Sequence, residues 1–296
     1  MNTLAIISPA RGWSTYLKVT IPLSILLPLL LISCYKDIHD FKIYNLNDNR
    51  ITILGHRGMG KKHKYPGNSF ESIETAIKLG ADGSEIDVQI TKDSILVIFH
   101  DKEMSNKTNF QGMIREYNWA EIDGCNYKST SSEQISVITV DDLFSRIPNI
   151  QEYYFSFDCK FYPEEETLDA YLRQFAYAIE QVIEKHNMHN QVMIESEIVQ
   201  FHQILKQNDV QALQFIVCSK VTDGIRIAEQ LDLYGIGKGS AITKRDIELA
   251  HEKGFRVMTW IPKTKGGNVK AIRKNPDIIQ TAKLIHLLKI FGKYRQ

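Results

Sequence analysis

The stretch SEIDVQITKDSILVIFHD, residues 84–101, contains two apolar runs that are separated by only three residues, KDS. A connection this short cannot carry a parallel crossover, so the two runs are expected to pair as an antiparallel hairpin. With Asp-Ser as a two-residue turn, Asp87 should lie opposite His100, with Cβ atoms roughly 5 Å apart. The stretch therefore predicts a hairpin that brings acidic and imidazole side chains together.

Glu85 and Asp87 lie two residues apart on the first of these strands, so both side chains project from the same face. Two carboxylates held this close repel each other, which raises the proton affinity of one unless a cation lies between them. A hard divalent metal ion with oxygen ligands would relieve the repulsion. The alternative for this motif alone is a half-solvated strand that carries two incidental acids.

Apolar runs with the length of strands alternate with helical patterns along most of the chain. One helical pattern is 69–79, where Phe70, Ile73 and Ile77 recur at helical spacing, Asn68 is a candidate cap and Gly80 ends the segment. The other candidate strands are 51–54, 153–160, 191–195, 213–218, 233–237, 255–260 and 277–281.

This alternation indicates an α/β protein with parallel strands. Eight strand-helix units within about 245 residues favour a (β/α)8 TIM barrel over an open doubly wound sheet. The first strand is not followed by the glycine-rich fingerprint of dinucleotide-binding folds, which weakens that alternative further. The long polar segment at about 101–138 interrupts the pattern after the hairpin, so we expect a lid or a small inserted subdomain there.

Two further groups of polar residues stand at strand ends. In FSFDCK, Asp158 and Lys160 share one face of a strand, where they must be paired or ligated because burial of either alone costs several kcal/mol. They could simply pair with each other. His56 and Arg57 follow the first strand, and the active sites of TIM barrels gather at the carboxyl ends of the strands.

These residues resemble the glycerophosphodiester phosphodiesterases of the phosphatidylinositol-phospholipase-C-like barrels. The ordered H-R-G, E-x-D and H-D motifs make the resemblance specific. The matching segments are GHRG (55–58), YPGNSFES (65–72), GADGSEIDVQITKD (80–93), LVIFHD (96–101), FDCK (157–160), VMTW (257–260) and NPDIIQT (275–281).

The resemblance implies a role for each matching residue. Glu85, Asp87 and Asp158 would bind calcium or magnesium, and His56 and His100 would serve as general acid and base. Arg57 and Lys160 would hold the phosphate of a small phosphodiester. The first nucleophile would be the neighbouring hydroxyl of the substrate itself. Trp260 would then form an apolar wall for the alcohol or, equally, close the core.

Several positions depart from the pattern of that family. The usual P-E-N-T has Gly67 in place of its carboxylate, and the third acidic ligand is Asp158 where a glutamate is usual. Lys263 and Ala282 replace the last residues of two further motifs, W-T-V-N and I-T-D. Glu195 is a spare candidate ligand that has no counterpart in the family. These departures bear more on the substrate than on the reaction.

The first 49 residues differ from the rest of the chain. Basic residues precede the apolar run 19–33, which is shorter than the roughly 20 residues of a comfortable membrane span and ends at Cys34. The segment before Cys34 resembles the lipobox of bacterial lipoproteins. We therefore expect a signal peptide at 1–33, lipidation at Cys34, a tether at 34–49 and the barrel at 50–296. An uncleaved membrane anchor is the alternative, and both place the domain outside the cytoplasm, on a membrane facing the periplasm or the cell surface.

The composition, with 43% hydrophobic residues in 296, provides enough apolar material for one large globular domain or two small ones. The formal net charge of +1 makes nucleic acid an unexpected partner. Cys125, Cys159 and Cys218 show no zinc-binding spacing, so buried free thiols are expected. The leading hypothesis is a metal-dependent phosphodiesterase on a lipid-anchored barrel. The alternatives are a noncatalytic binding lipoprotein, and a phospholipase that would expose an apolar rim through Phe110, Met113 and Trp119.

Overall fold

A computed structural model describes residues 41–60, 64–128 and 133–296. The expected signal peptide, the lipidation site Cys34 and the first part of the tether lie outside the described residues. They stay predictions.

The described residues form a closed barrel of eight parallel strands, which confirms the predicted (β/α)8 fold. The barrel order is β1, β2, β4, β5, β6, β7, β8 and β9, and β9 pairs with β1 to close the ring. One further strand, β3, pairs antiparallel with β2 on the outside of the ring. The strands are β1 (Thr52–His56), β2 (Gly83–Ile90), β3 (Leu96–Ile98), β4 (Tyr154–Cys159), β5 (Val192–Ser196), β6 (Leu213–Val217), β7 (Gly235–Gly239), β8 (Arg256–Trp260) and β9 (Ile278–Thr281).

Helices connect the barrel strands and cover their outer faces. The α-helices within the described residues are α1 (Phe70–Lys78), α2 (Trp119–Ile122), α3 (Val140–Arg146), α4 (Leu168–His186), α5 (Val199–Gln207), α6 (Val221–Leu231), α7 (Lys244–Glu252), α8 (Lys265–Ile272) and α9 (Leu284–Ile290). Short 3₁₀ helices lie at Met104–Asn106, Ile114–Glu116 and Ile150–Glu152.

The start of α1 differs from the sequence expectation. Ser69, not Asn68, caps the helix, since its hydroxyl accepts a hydrogen bond from the Ser72 backbone N–H. Asn68 has a left-handed backbone with φ 73°. The two adjacent residues are both good caps, and Asn68 is turned toward the barrel instead.

The two faces of the barrel strands bury different residues. The outward faces are apolar and pack against the helices, as Ile86 and Val88 of β2 do. Inside the ring, five apolar side chains form a separate small core, and three of them, Leu54, Phe215 and Met258, are fully buried. That core is Leu54, Met193, Phe215, Met258 and Ile278. It leaves the carboxyl ends of the strands to polar side chains.

The register of the hairpin is one residue away from the prediction. Gln89 pairs with Val97 and Val88 with Ile98, which places Asp87 opposite Phe99, not His100. The loop has three residues instead of two, because the Thr91 N–H donates to the Ile95 carbonyl. Ser94 takes the left-handed conformation that the last position of such a loop requires, with φ 64°. His100 therefore follows the hairpin pair and lies just beyond the strand.

The insertion at 101–138 is a small folded unit with its own apolar core. Met104, Ile114, Ile122 and Cys125 are buried in it, and Phe110 and Trp119 pack against that cluster. Met113 is buried as well. The apolar rim that these three residues were suggested to form is therefore not seen in the described part of the insertion.

Part of the predicted tether belongs to the folded domain. Phe41 and Ile43 pack against an apolar cluster on the outside of the barrel. The backbone N–H of Leu46 donates to Asp277 Oδ1 at 2.8 Å, and Asn45 Nδ2 donates to the Pro276 carbonyl at 2.9 Å. The expected tether therefore ends by residue 41, because the segment after it finds apolar and hydrogen-bonding partners.

The cysteines and the helix lengths can be compared with the sequence predictions. Cys125 and Cys159 are buried free thiols and Cys218 is half-buried. None of the helices in the described residues combines the length and the apolar character needed to cross a bilayer.

Arg115 ties the insertion to the barrel through a buried charge, and its removal should destabilise the protein. Its side chain is 8% exposed and donates to Thr91 O, Glu166 Oε1 and Gln174 Oε1. Arg115→Met should lower the free energy of unfolding by about 2–4 kcal/mol, because these acceptors lose a buried charged partner. Urea denaturation measures the change.

The matched control is Arg173→Met, because Arg173 forms a half-exposed pair with Asp169 four residues away on one helix. That variant should change the unfolding free energy by less than about 0.5 kcal/mol. Equal effects of the two substitutions would contradict the bridging role of Arg115.

Candidate active site

The candidate site lies at the carboxyl ends of β1, β2 and β4, three strands that are neighbours in the ring. His56 ends β1 and is paired in register with Glu85 of β2. Asp87 of β2 is in register with Asp158 of β4. Residues distant in sequence therefore meet because parallel strands place their carboxyl ends at one edge.

Three carboxylates converge at this edge. One oxygen from each of Glu85, Asp87 and Asp158 lies within 4.8 Å of the others. Glu85 and Asp87 are 1% and 0% exposed. Burial, together with the neighbouring charges of Asp87 and Asp158, raises the pKa of Glu85 well above its usual value. Burial also raises the pKa of Asp158, against the opposing effect of Lys160.

Two basic side chains face the cluster. Arg57 Nε lies 2.7 Å from Asp87 Oδ2. Lys160 Nζ lies 2.5 Å from Asp158 Oδ2 and 3.3 Å from Asp87 Oδ1. Burial lowers the pKa of Lys160, but Asp158 and Asp87 outweigh it and raise that pKa above its usual value. Both side chains therefore carry a positive charge at the edge of the carboxylate cluster.

The loop after β1 is built to hold Arg57 in place. Arg57 has a left-handed backbone with φ 57°, and its N–H donates to Glu85 Oε2 at 2.9 Å. A Cβ at Gly67 would lie 3.0 Å from Arg57 Cβ, so the glycine leaves room for the arginine side chain. Position 67 thus has a glycine in place of a carboxylate residue, and this glycine makes room for the Arg57 side chain.

The donor set fits a hard divalent cation. All three converging groups are carboxylates, the ligands that calcium and magnesium prefer. Asp87 Oδ1 is buried and accepts no hydrogen bond from the described residues, although Lys160 lies nearby. The other oxygen of Asp87 is fixed by Asn68, whose Nδ2 donates to it at 2.8 Å. Glu85, Asp87 and Asp158 could therefore hold such an ion.

Two histidines lie near this cluster, His56 at the end of β1 and His100 just after β3. His56 is 5% exposed, and its Nε2 lies 3.8 Å from Glu85 Oε2. His100 is more exposed, and its Nδ1 lies 2.5 Å from Asp101 Oδ1. Because an ionised carboxylate can only accept, Asp101 orients the ring with a proton on Nδ1 and leaves Nε2 as the acceptor.

An open cavity of about 400 Å³ adjoins these groups. Arg57 and His100 line it together with Asp101. The insertion also contributes Lys107 and Tyr127 to its lining. The volume is in the range of small-molecule sites, and the wall is mixed polar and aromatic. The insertion therefore helps to shape the cavity.

Glu195 lies deeper in the barrel, next to Asp158 in register. It is 4% exposed and accepts hydrogen bonds from Ser156 Oγ and Gln280 Nε2. Burial and the charge of Asp158 raise the pKa of Glu195 to about 8. Asp158 is one methylene shorter than the glutamate that is usual at its position. Glu195 does not compensate for this by joining the cluster of Glu85, Asp87 and Asp158.

Trp260 ends β8 at the same edge of the barrel and is half-buried. Its ring covers Gly237 of β7, where a Cβ would lie 3.0 Å from Trp260 Cζ3. The glycine therefore gives the aromatic side chain its place at the mouth of the barrel. Trp260 does not line the 400 Å³ cavity.

The structure brings most of the predicted site residues together and adds others. His56, Arg57, Glu85, Asp87, Asp158 and Lys160 form one connected group, and His100 lines the adjoining cavity. Asn68 and Asp101 were missed as site residues. Asp101 could have been found from its position directly after His100, but Asn68 reads equally well as a helix cap.

The sequence matches the glycerophosphoryl diester phosphodiesterase family over residues 56–286. It is 28% identical over 232 residues to a glycerophosphodiester phosphodiesterase of Bacillus subtilis, which covers 71% of this chain and 76% of that protein. It is 35% identical over 88 residues to one of Bacillus altitudinis, which covers 30% of this chain and 35% of that protein. The chain thus spans about a third of the latter relative.

Solved structures with the same fold include a phosphodiesterase of Oleispira antarctica in complex with the product sn-glycerol-3-phosphate. It has a TM-score of 0.71 and 17% identity, and the match covers 84% of this chain and 100% of that one. A structure from Silicibacter pomeroyi has a TM-score of 0.72 and 15% identity over 89% of this chain and 99% of that one. At these identities the likeness shows the barrel fold alone.

Replacement of Asp87 should abolish tight binding of a divalent cation. Asp87 lies in the carboxylate cluster and carries a buried oxygen, Oδ1, that accepts no hydrogen bond from the described part of the chain. Asp87→Asn should weaken calcium or magnesium binding at least about tenfold, because a charged oxygen ligand is lost. Isothermal titration calorimetry measures the affinity.

Asp82→Asn is the matched control, since Asp82 precedes the same strand at its opposite end and pairs with Lys293. Its affinity should stay within about twofold of the unmodified protein. A normal affinity in Asp87→Asn would show that the cation binds elsewhere.

Glu195 should make the metal-free protein less stable as the pH rises. Its folded pKa of about 8 lies above the ordinary value of 4.5, so the folded state holds the proton more tightly than the unfolded chain does. Stability is therefore lost as the pH rises from about 4.5 to about 8. Glu195→Gln removes this loss, and its unfolding free energy relative to the unmodified protein should increase by up to about 1.4 kcal/mol per pH unit.

Chemical denaturation at pH 5 and pH 8 in the presence of a chelator measures this difference. A difference between the two proteins that does not change with pH would show that Glu195 is ionised throughout.

Proposed function

The chain belongs to the glycerophosphoryl diester phosphodiesterase family, and we propose that it hydrolyses glycerophosphodiesters to an alcohol and sn-glycerol 3-phosphate with a divalent metal ion and two histidines. The observation that carries this proposal is the cluster of Glu85, Asp87 and Asp158 beside His56 and the cavity of His100. One end of the barrel then holds the metal ligands, the basic side chains that would bind phosphate and the two histidines that would transfer protons.

The phosphate of the substrate would be bound by Arg57 and Lys160. Both side chains are charged and partly buried beside Asp87. When a phosphate enters, each can donate to its anionic oxygens and offset the charge that develops on phosphorus in the transition state. Arg57 and Lys160 now pair with carboxylates. A divalent cation would neutralise those carboxylates and leave the two basic side chains to the phosphate.

His100 is the proposed base of the first step. Asp101 fixes its Nδ1, so Nε2 is free to take the proton of the attacking hydroxyl. The attacking oxygen then forms a bond to phosphorus, and the bond from phosphorus to the leaving oxygen breaks. Asp101 also stabilises the positive charge that His100 acquires.

His56 is the proposed acid. Its ring is buried, and its Nε2 lies 3.8 Å from Glu85 Oε2 at the edge of the carboxylate cluster. It gives its proton to the departing alkoxide, so the alcohol leaves neutral. When water later opens the cyclic phosphate that the family mechanism implies, the two histidines exchange roles.

Glu85, Asp87 and Asp158 would hold the metal ion, as calcium or magnesium. When bound, the ion would act as a Lewis acid on a phosphate oxygen.

The substrate is proposed to be a deacylated glycerophosphodiester, not an intact lipid. The insertion residues Phe110, Met113 and Trp119 pack into or against an apolar core and offer no exposed rim. The large exposed apolar side chains of the described residues lie elsewhere, at Tyr44, Ile95, Tyr154, Leu168 and Tyr177. The lack of an exposed apolar rim among the described insertion residues therefore favours a small polar diester.

Incubation of the full chain with glycerophosphocholine and calcium or magnesium tests the proposal. The expected products are choline and glycerol phosphate. His56→Gln and His100→Gln should each lower kcat by about 10²–10⁴-fold, because each removes one proton-transfer group. Cation affinity in the same variants should change little, which separates catalysis from metal binding.

His189→Gln is the control, since His189 pairs loosely with Glu184 away from the site, and it should retain full activity. Absence of metal-dependent release across several head groups would overturn the proposal in favour of a binding protein. Faster hydrolysis of intact phospholipid than of its deacylated form would instead identify a phospholipase.

A further inference from the structure

The net charge of the chain conceals a strongly basic segment. Residues 263–296, here called the basic sector, contain nine basic residues and one acidic residue, Asp277. Asp277 is buried and paired with His251, so it does not offset the surface charge. The rest of the chain has an excess of acidic residues, since the net charge of the whole chain is only +1. The positive charge is therefore concentrated on the last part of the barrel.

Most basic residues of the basic sector have no ion pair within the described residues, in contrast to those of a neighbouring helix. Among the described residues, Lys293 is the one basic residue of the sector with a carboxylate oxygen within 4.0 Å, that of Asp82. On the adjacent helix α7, Lys244 and Arg245 both face Glu248. Eight basic residues of the sector thus have no carboxylate partner in the part of the chain that the structure describes, and charges of this kind are available to an external anion.

Two open cavities lie on the sides of α8, and lysines line both. The first has a volume of about 350 Å³ and is lined by Lys265, Lys283 and Lys289 with His286. The second has a volume of about 340 Å³. Its lysines are Lys263, Lys270 and Lys274. Neither cavity has an acidic residue in its lining.

The cations of each cavity act on one another. Burial and the nearby Lys265 lower the pKa of His286, and burial and the nearby Lys270 lower the pKa of Lys274. Asn268 Nδ2 donates to the Lys283 carbonyl and faces His286 Nδ1 at 3.3 Å, so the Nε2 of a neutral His286 carries the proton. Each cavity therefore presents donors and positive charge without an internal counterion.

We propose that the basic sector docks this domain onto an anionic lipid bilayer. Clusters of four to eight lysines or arginines are typical of surfaces that bind anionic head groups. Half-buried Ile285 and Ile261 lie among the lysines of the two cavities and can contact the boundary between head groups and acyl chains. A nucleic acid duplex would gain little from such apolar contacts.

The docking surface lies at the catalytic end of the barrel. Lys263 and Lys265 follow β8, and Lys283 follows β9, whose carboxyl ends share an edge with those of β1 and β2. Binding through these lysines would hold the mouth of the barrel close to the membrane surface. The inference does not rest on the proposed function, since a domain without activity would dock in the same way.

Chemical acetylation of lysines, read by mass spectrometry, tests the proposal on the full chain in proteoliposomes. Vesicles of phosphatidylcholine alone are compared with vesicles that contain phosphatidylglycerol as well. The six cavity lysines should react about tenfold more slowly in the anionic vesicles, because each basic residue near an anionic surface contributes to attraction. The protection should disappear in 0.5 M salt, which shortens the Debye length to below about 5 Å.

Lys78, Lys185 and Lys206 are internal controls in the last turns of α1, α4 and α5, away from the mouth of the barrel, and their reactivity should be the same in both vesicles. A variant in which Lys263, Lys265 and Lys283 are replaced by Gln should lose the salt-sensitive protection at the remaining three cavity lysines. Equal reactivity of the six lysines in both vesicles would overturn the proposal. So would protection by duplex DNA that anionic vesicles do not reproduce.

Discussion

The constraint on which the site depends is electrostatic repulsion among carboxylates inside the barrel. Glu85, Asp87, Asp158 and Glu195 face the interior, and the charges opposite them are those of Arg57 and Lys160. If all four acids were ionised, two negative charges would remain, which a single divalent cation would balance. Without the ion, burial and mutual repulsion raise the pKa values of Glu85, Asp158 and Glu195.

The barrel can carry this charge because apolar residues stabilise it elsewhere. The outward strand faces and the helices form the large apolar clusters, and a small inner core fills the barrel below the site. Glycines on β7 and the aromatic ring of Trp260 occupy the side of the mouth away from the acids. The interior carboxylates and His56 thereby lie on β1, β2, β4 and β5, where the register places them side by side.

Much of this arrangement could be predicted from the sequence. Strand-helix alternation indicated the barrel, and the period-two pattern placed Glu85 with Asp87 and Asp158 with Lys160 on single faces. Convergence of these two strands follows from parallel pairing, which puts their carboxyl ends at one edge.

Other features depend on local energies that the sequence does not separate. The hairpin register changed by one residue because Ser94 accepts a left-handed backbone, which allows a three-residue loop. Asn68 and Ser69 are both suitable helix caps by residue type. In the structure Asn68 donates to the buried Asp87, and Ser69 caps α1. The apolar residues of the insertion pack against one another and are not exposed as a rim. This tertiary packing cannot be predicted from any periodicity within 101–138.

The most direct test of this account is anomalous X-ray scattering from crystals of the protein soaked with Mn²⁺, an oxygen-seeking ion that can replace calcium or magnesium. The account predicts a strong anomalous peak about 2.0–2.6 Å from carboxylate oxygens of Glu85, Asp87 and Asp158. A peak at other residues, with these three carboxylates bound only to Arg57 and Lys160, would contradict it.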